Sequence, residues 1–280
     1  MTPLTYPSSA IDEYKFGTEV VTFNDAARNG QLDVDHLEHL LDQICYVRNT
    51  TGRRAAVVLS GACALGRALE GQEKTQNEPS ALTASYFTVG QGPLFETCRA
   101  TLEKRGIRAH QILPIPSNFE TQEQCEHFRA TMAYIFARGG LPIFNTNDVF
   151  DFSELQGVKS FKDNDRLAGK VGEVLKVDTC GLFSTVDGLY RNVHDPKTLI
   201  PQVNPWKDKY YSQYIARDGT CKGQGGMDSK FDVAVDLARR GTHSYIANGR
   251  IEDVIVRIRI NRERLGTHFD GRQDPNDSDA

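Results

Sequence analysis

The sequence predicts an α/β protein whose mostly parallel sheet is covered by helices on both faces. Three observations carry that expectation. Runs such as Ala55 to Leu59 and Leu141 to Phe144 are continuously apolar, as strands buried on both sides must be. Other segments place apolar residues at helical spacing. The two kinds alternate along the chain, with Gly, Asn and Asp at their junctions.

Taken in order, Tyr14-Lys15-Phe16-Gly17-Thr18 places a lysine and a glycine at a strand end. Leu37, Leu40, Leu41, Ile44 and Val47 then mark one face of a helix with Asp33 or Asp35 as N-cap. The strand Ala55 to Leu59 ends at Ser60-Gly61-Ala62 and leads into a helix carrying Gly66. Ile107 to Leu113 reads as a strand. Phe128, Met132, Ile135 and Phe136 form a helical face that stops at Gly139-Gly140, before the strand Leu141 to Phe144.

A helix from Asn164 to Lys176, a strand from Val177 to Phe183, a helix from Met227 to Arg240 closed by Gly241, and a strand from Ser244 to Ala247 continue the rhythm. Val254, Val256, Ile258 and Ile260 alternate with Ile255, Arg257 and Arg259. That favours a strand facing a charged surface, with a helix as the alternative. Asn192 to Lys222 lacks periodicity and reads as a long loop of the kind that often forms a functional lid. Asp270 to Ala280 reads as a polar, disordered tail.

Composition narrows the function. Hydrophobic residues make up 39% and charged residues 25%, which suits a packed soluble core. A formal net charge of −4 gives no basic excess for nucleic acid. No stretch approaches the roughly 20 apolar residues of a membrane span, and residues 1–10 lack the features of a signal peptide. Cys45, Cys63, Cys98, Cys125, Cys180 and Cys221 are scattered without a metal-binding spacing, as reduced thiols of a cytoplasmic protein would be.

Four segments carry chemistry. Lys15 beside Gly17 suits an anion: amides approach it where no side chain intrudes, and the ammonium neutralises it. An ordinary surface lysine is the alternative. Ser60-Gly61-Ala62 puts small residues where amides of a helix N-terminus can meet a carboxylate or phosphate, or is simply a tight connection. Asn145-Thr146-Asn147-Asp148 and Asp163-Asn164-Asp165 supply acceptors from adjacent corners, or act as turn and cap residues. Gly223-Gln224-Gly225-Gly226-Met227-Asp228-Ser229-Lys230 runs three glycines into a helix whose first turn holds a lysine, suiting phosphate oxygens, with a flexible linker as the alternative. Neither a Walker A loop nor a Gly-x-Gly-x-x-Gly fingerprint is present.

In that order the segments resemble the glutamate 5-kinases of the amino-acid kinase family. The resemblance runs through Lys15-Phe16-Gly17-Thr18, Ser60-Gly61-Ala62-Cys63-Ala64-Leu65-Gly66, Val89-Gly90-Gln91, Pro142 to Asp148, and Asp163-Asn164-Asp165-Arg166-Leu167. Gly188-Leu189-Tyr190, Gly225 to Lys230 and Gly266-Thr267-His268-Phe269 complete it. It implies a three-layer αβα sandwich over residues 14–269, after an N-terminal extension (1–13) and before the tail (270–280). The N-terminal half would take the substrate and the C-terminal half the nucleotide.

Carried over by position, the resemblance implies that Ser60, Asp148 and Asn164 hold an amino-acid substrate. Ser184, Thr185, Gly223, Gln224, Gly225, Gly226, Met227, Asp228, Ser229 and Lys230 would line the ATP site. Lys15 and Lys230 would straddle the transferred phosphoryl group, with Asp165 orienting them. Mg2+ would arrive on the ATP phosphates, and no residue is assigned as its ligand. The implied activity is ATP-dependent phosphorylation of the L-glutamate side-chain carboxylate, in a homo-oligomer that passes an acyl phosphate to a reductase.

Several positions depart from the family pattern. Glu19 replaces a small hydroxyl residue, Ser184-Thr185 replaces Thr-Asp, Lys162 replaces a glycine and His127 an asparagine. Leu113-Pro114-Ile115-Pro116 is less polar than usual, and a C-terminal RNA-binding-like domain is expected to be absent. Lys162 and His127 motivate an alternative, a kinase of the same fold for another small carboxylate or a phosphate monoester. Thr185 and Glu19 motivate another, a nucleotide- or amino-acid-binding regulatory protein without turnover.

Overall fold

The computed structural model describes residues 10–75, 78–151, 164–192, 194–207 and 226–271. The N-terminal strand β1 (Ile11–Phe16) is followed by the short helix α1 (Thr18–Val21) and by α2 (Val34–Thr51). Next come β2 (Arg54–Leu59), α3 (Ala62–Leu69), α4 (Ser80–Glu103), β3 (Ala109–Ile112), α5 (Gln122–Ala137) and β4 (Leu141–Phe144). The C-terminal half contains α6 (Asn164–Leu175), β5 (Thr179–Ser184), β6 (Gln202–Val203), α7 (Met227–Ala238), β7 (His243–Asn248), α8 (Val254–Arg259) and β8 (Thr267–Asp270).

These strands form an eight-stranded sheet in the order β3-β4-β2-β1-β5-β7-β8-β6. Every neighbouring pair is parallel except β7 with β8. Alternation along the central strands splits the core into two layers. Ala55, Val57 and Leu59 pack with α2, α3, α4 and α8 on one face. Ala56 and Val58 pack with α5, α6 and α7 on the other. The sheet is therefore the middle layer of an αβα sandwich.

Asp33 caps α2, accepting from the His36 N–H at 3.3 Å. The segment from Val254 is a helix, which corrects the strand favoured by its alternating apolar residues. Val254, Ile255, Ile258 and Arg259 are the buried positions, a spacing that fits one helical face and no strand. The domain edges also shift. β1 starts at Ile11, inside the stretch read as an extension, and Asp270 closes β8 rather than opening the tail. Within the predicted long loop, residues 196–198 form a 3-10 turn and β6 pairs with β8. Residues 208–222 of that loop, and 272–280 of the tail, lie outside the described residues.

α3 and α4 touch backbone to backbone. A Cβ at Gly66 would overlap the Tyr86 carbonyl oxygen, and one at Gly90 would overlap that of Ala62. The two glycines thus set how closely α4 approaches the corner after β2.

β1 carries charge on both faces although it is central and wholly buried. Toward α8, Asp12 accepts from Arg259 at 3.0 Å, Arg53 at 2.8 Å and Thr179 at 2.5 Å, so its charge is fully paired. Toward α6, Glu13 lies against bare backbone, where a Cβ on Gly172 would stand 2.7 Å from Oε2. Beyond the weakly donating Cys180 thiol, neither Glu13 oxygen has a hydrogen-bond partner among the described residues. Burial raises its carboxyl well above the usual range, so Glu13 is held neutral.

The sign of the stability effect follows. Below the unfolded-state value, about 4.3, both states are protonated. Above it the unfolded chain ionises while folded Glu13 does not, so stability is lost as pH rises toward the folded-state value. Glu13→Gln removes this loss. Its unfolding free energy from urea titration should gain on that of the wild type between pH 5 and pH 8, at no more than about 1.4 kcal/mol per pH unit. A constant margin would contradict the neutral buried acid.

Candidate active site

The side chains singled out in the sequence gather at the C-terminal ends of the parallel strands, the edge where open α/β sheets place their ligands. Lys15 comes from the end of β1, Asp165 from the first turn of α6 and Lys230 from the first turn of α7. The two carboxylate oxygens of Asp165 serve different lysines. Oδ1 is ion-paired with Lys15 Nζ, and Oδ2 accepts from Lys230 Nζ at 2.9 Å. All three side chains are buried.

Among the described residues, one carboxylate stands between two buried lysines. Burial pushes the Asp165 carboxyl upward, but Lys15 and then Lys230 outweigh it and hold the group below the usual carboxylate range. The site is therefore charged at neutral pH and fitted to an anion.

A second constellation adjoins it. Asn164 Nδ2 donates to Asn145 Oδ1 at 2.8 Å and to Ser60 Oγ at 3.3 Å. Asn164 Oδ1 accepts from the Thr146 amide at 3.1 Å and hydroxyl at 2.9 Å. Asn145 Nδ2 continues to Gln91 Oε1 on α4 at 2.7 Å. Gly61 makes the corner feasible: its φ of +111° suits glycine, and it starts α3 directly after Ser60. Asp148 joins through another partner, accepting from the Cys63 thiol of α3 at 3.0 Å. Burial, then the Asp148 charge, raises the Cys63 thiol well above its ordinary value, so it stays protonated and donates.

At the corner that the resemblance assigns to the nucleotide, Ser184 ends β5 and Thr185 follows it. Thr185 Oγ1 donates to Glu19 Oε2 at 3.1 Å. Two departures from the family pattern thus meet, and Glu19 of α1 supplies a carboxylate at the corner where Thr185 lacks one. Arg250, after β7, donates to the carbonyls of Glu19 at 3.0 Å and Thr22 at 2.6 Å, and pairs with Asp33 at 2.5 Å. It fixes α1 to α2 beside the lysine. Gly226, Met227, Asp228 and Ser229 form the start of α7. Gly223, Gln224, Gly225, Asp163 and Lys162 lie outside the described residues.

Gln91, Cys63 and Arg250 were not singled out as site residues. Gln91 and Cys63 stand inside quoted motifs, but nothing in their spacing signals that they reach Asn145 and Asp148. His127, read as a neighbour of the substrate, lies on the exposed side of α5, while Phe128 packs on Phe144.

Fold and site together define an α/β sandwich with a buried cationic centre beside a polar patch. Residues 14–248 match the amino acid kinase family, and the chain belongs to that family. It is 31% identical over 245 residues to a glutamate 5-kinase of Bacteroides thetaiotaomicron, covering 86% of this chain and 64% of the relative. A glutamate 5-kinase of Chlorobaculum tepidum is 31% identical over 258 residues, 91% of this chain and 67% of the relative. One from Symbiobacterium thermophilum is 30% identical over 258 residues, 91% of this chain and 94% of the relative. The chain thus spans less than two thirds of the Bacteroides relative and nearly all of the Symbiobacterium one.

Among solved structures, a UMP kinase from Bacillus anthracis aligns with a TM-score of 0.62 at 16% identity, covering 94% of this chain and 97% of that one. An isopentenyl phosphate kinase of T. acidophilum aligns at 0.58 and 16% identity, covering 92% and 99%. At these identities the likeness is one of fold.

Asp165→Asn would remove the carboxylate that both buried lysines share. Its urea unfolding should show a loss of about 3–5 kcal/mol, as for other broken buried pairs. An unchanged midpoint would mean that the three groups do not share a dry site.

Proposed function

We propose that this chain transfers the terminal phosphoryl group of ATP to a carboxylate of a small amino acid, with the side chain of L-glutamate as acceptor and an acyl phosphate as product. The observation that carries this reading is Asp165 holding Lys15 and Lys230 together beside the Ser60, Asn145, Thr146 and Asn164 patch. The family membership and the glutamate 5-kinase relatives support it.

In this reading a carboxylate oxygen of the substrate forms a bond to the γ-phosphorus, and the bond from that phosphorus to the β,γ-bridging oxygen breaks to release ADP. The acceptor is already ionised at neutral pH, so no proton is removed and no base is required. The difficulty is bringing an anion against a polyanion. Lys15 and Lys230 face that charge from two elements and neutralise it as it moves, while Asp165 keeps both ammoniums aimed. Ser184, Thr185 and the start of α7 hold the nucleotide. Ser60, Asn164 and Asp148 hold the amino acid.

Among the described residues no group of three or more His, Cys, Asp or Glu is arranged to hold a metal ion. In this reading Mg2+ arrives on the ATP phosphates and would neutralise part of their charge. Among the described residues no helix is long and apolar enough to cross a membrane. The same reading places the protein in the cytoplasm as a homo-oligomer. Its acyl phosphate, which hydrolyses readily, passes to a reductase.

The test is a hydroxylamine trap for acyl phosphate with ATP, Mg2+ and a panel of small acids. Hydroxamate should form with L-glutamate. Hydroxamate with a different acid only would move the substrate, and ADP release without any hydroxamate would overturn carboxylate transfer. In the same assay Lys15→Ala and Lys230→Ala should each lower kcat by about 10²–10³, the scale of lost transition-state stabilisers, with a smaller effect on amino-acid binding. Wild-type turnover in either variant would remove that lysine from its role.

A further inference from the structure

Four side chains at the edge of the sheet form one chain of hydrogen bonds whose direction is not free. The backbone N–H of Thr146 can only donate, and it meets Asn164 Oδ1 at 3.1 Å and Asn145 Oδ1 at 3.0 Å. Both facing atoms must therefore be carbonyl oxygens. The other end of each amide is then an NH2 group. That of Asn164 donates to Asn145 Oδ1 and Ser60 Oγ. That of Asn145 requires an acceptor, and Gln91 Oε1 provides it at 2.7 Å. Reversing any one amide would set donor against donor or acceptor against acceptor.

Two consequences follow for Ser60. Its Oγ accepts from Asn164, so its own O–H must point elsewhere. That proton has no acceptor among the described residues and is available to an oxygen of a bound anion. Gln91, Asn145 and Thr146 are buried, so an amide left unpaired there could not turn to water instead. Gln91 stands next to Gly90, whose bare Cα brings α4 onto the backbone of α3. The close helix contact thus delivers the acceptor that ends the chain.

We propose that Gln91 is a positioning residue. The Thr146 N–H sets the polarity of the relay, and Gln91, by accepting from the buried Asn145 NH2, holds Asn145 and through it Asn164 in place, so that the Ser60 hydroxyl is directed toward a carboxylate oxygen of the substrate. The inference rests on the function proposed above for the identity of the anion, but not for the relay itself. Gln91 touches neither reactant in this account and acts through Asn145 and Asn164.

The experiment compares the full chain with Gln91→Met, which keeps length and loses the acceptor, and Gln91→Glu, which keeps an accepting oxygen. With ATP, Mg2+ and L-glutamate in the hydroxamate assay, Gln91→Met should raise the glutamate KM about tenfold, the scale of one lost oriented hydrogen bond. The ATP KM should stay within about twofold, and Gln91→Glu should recover most of the loss. An unchanged glutamate KM in Gln91→Met, or an equal rise in both KM values, overturns the proposal.

A urea double-mutant cycle of Gln91→Met with Ser60→Ala reads the relay without turnover. The two residues do not bond each other, so a relay predicts midpoint shifts that are clearly non-additive, and additive shifts overturn it. If wild-type protein makes no hydroxamate from glutamate, the proposed function fails while the cycle still decides the relay. The cycle also decides it should Gln91→Glu fail to fold.

Discussion

An ammonium stays out of water only where an opposite charge compensates its lost hydration, and two facing one site repel each other as well. Asp165 meets both demands with two oxygens, one for each lysine. Much else follows from that arrangement. β1 must run parallel between β2 and β5 so that Lys15 emerges at the same edge as the start of α6. α7 must bring its first turn to that carboxylate from within the C-terminal half, while Lys15 reaches it from the N-terminal half. Two lysines held at one edge are what the proposed phosphoryl transfer requires.

β1 shows how closely structure and chemistry are interleaved. Asp12 and Tyr14 face α2 and α8, where Asp12 is paired with Arg259 and Arg53. Glu13 and Lys15 face α6, where Lys15 is paired and Glu13 is neutral. An ionised Glu13 would place a second negative charge on the same side of the strand as Lys15 and compete with Asp165 for it. Its burial against Gly172 favours its neutral form and so spares Lys15 that competition.

The two sides of the site are built on different principles. On the side proposed for the amino acid, a hydrogen-bond relay with one allowed direction presents Ser60, and a protonated thiol holds Asp148. On the side proposed for the nucleotide, Arg250 binds backbone carbonyls of α1, and Glu19 accepts from the Thr185 hydroxyl. The first arrangement selects geometry in a ligand, while the second stabilises a corner against which charge accumulates.

Alternating apolar runs and helical faces in the sequence were enough to determine the α/β class and most strands, because buried parallel strands and amphipathic helices have distinct periods. Lys15, Ser60, Asn164, Asp165 and Lys230 were singled out as well, as small or polar residues at strand-to-helix corners, and the fold brings them together at one edge of the sheet. The six residues from Val254 were not, because the same apolar spacing suits either a strand or a short helix until α2 and β1 offer a surface. Gln91, Cys63 and Arg250 are separated in sequence from the residues they serve by 54, 85 and 217 or more positions. No local pattern encodes such contacts. Only tertiary packing decided that Gln91 ends the relay and that Asp165 is shared by two lysines, because hydrogen-bond direction and charge pairing depend on which groups the fold brings within about 3 Å.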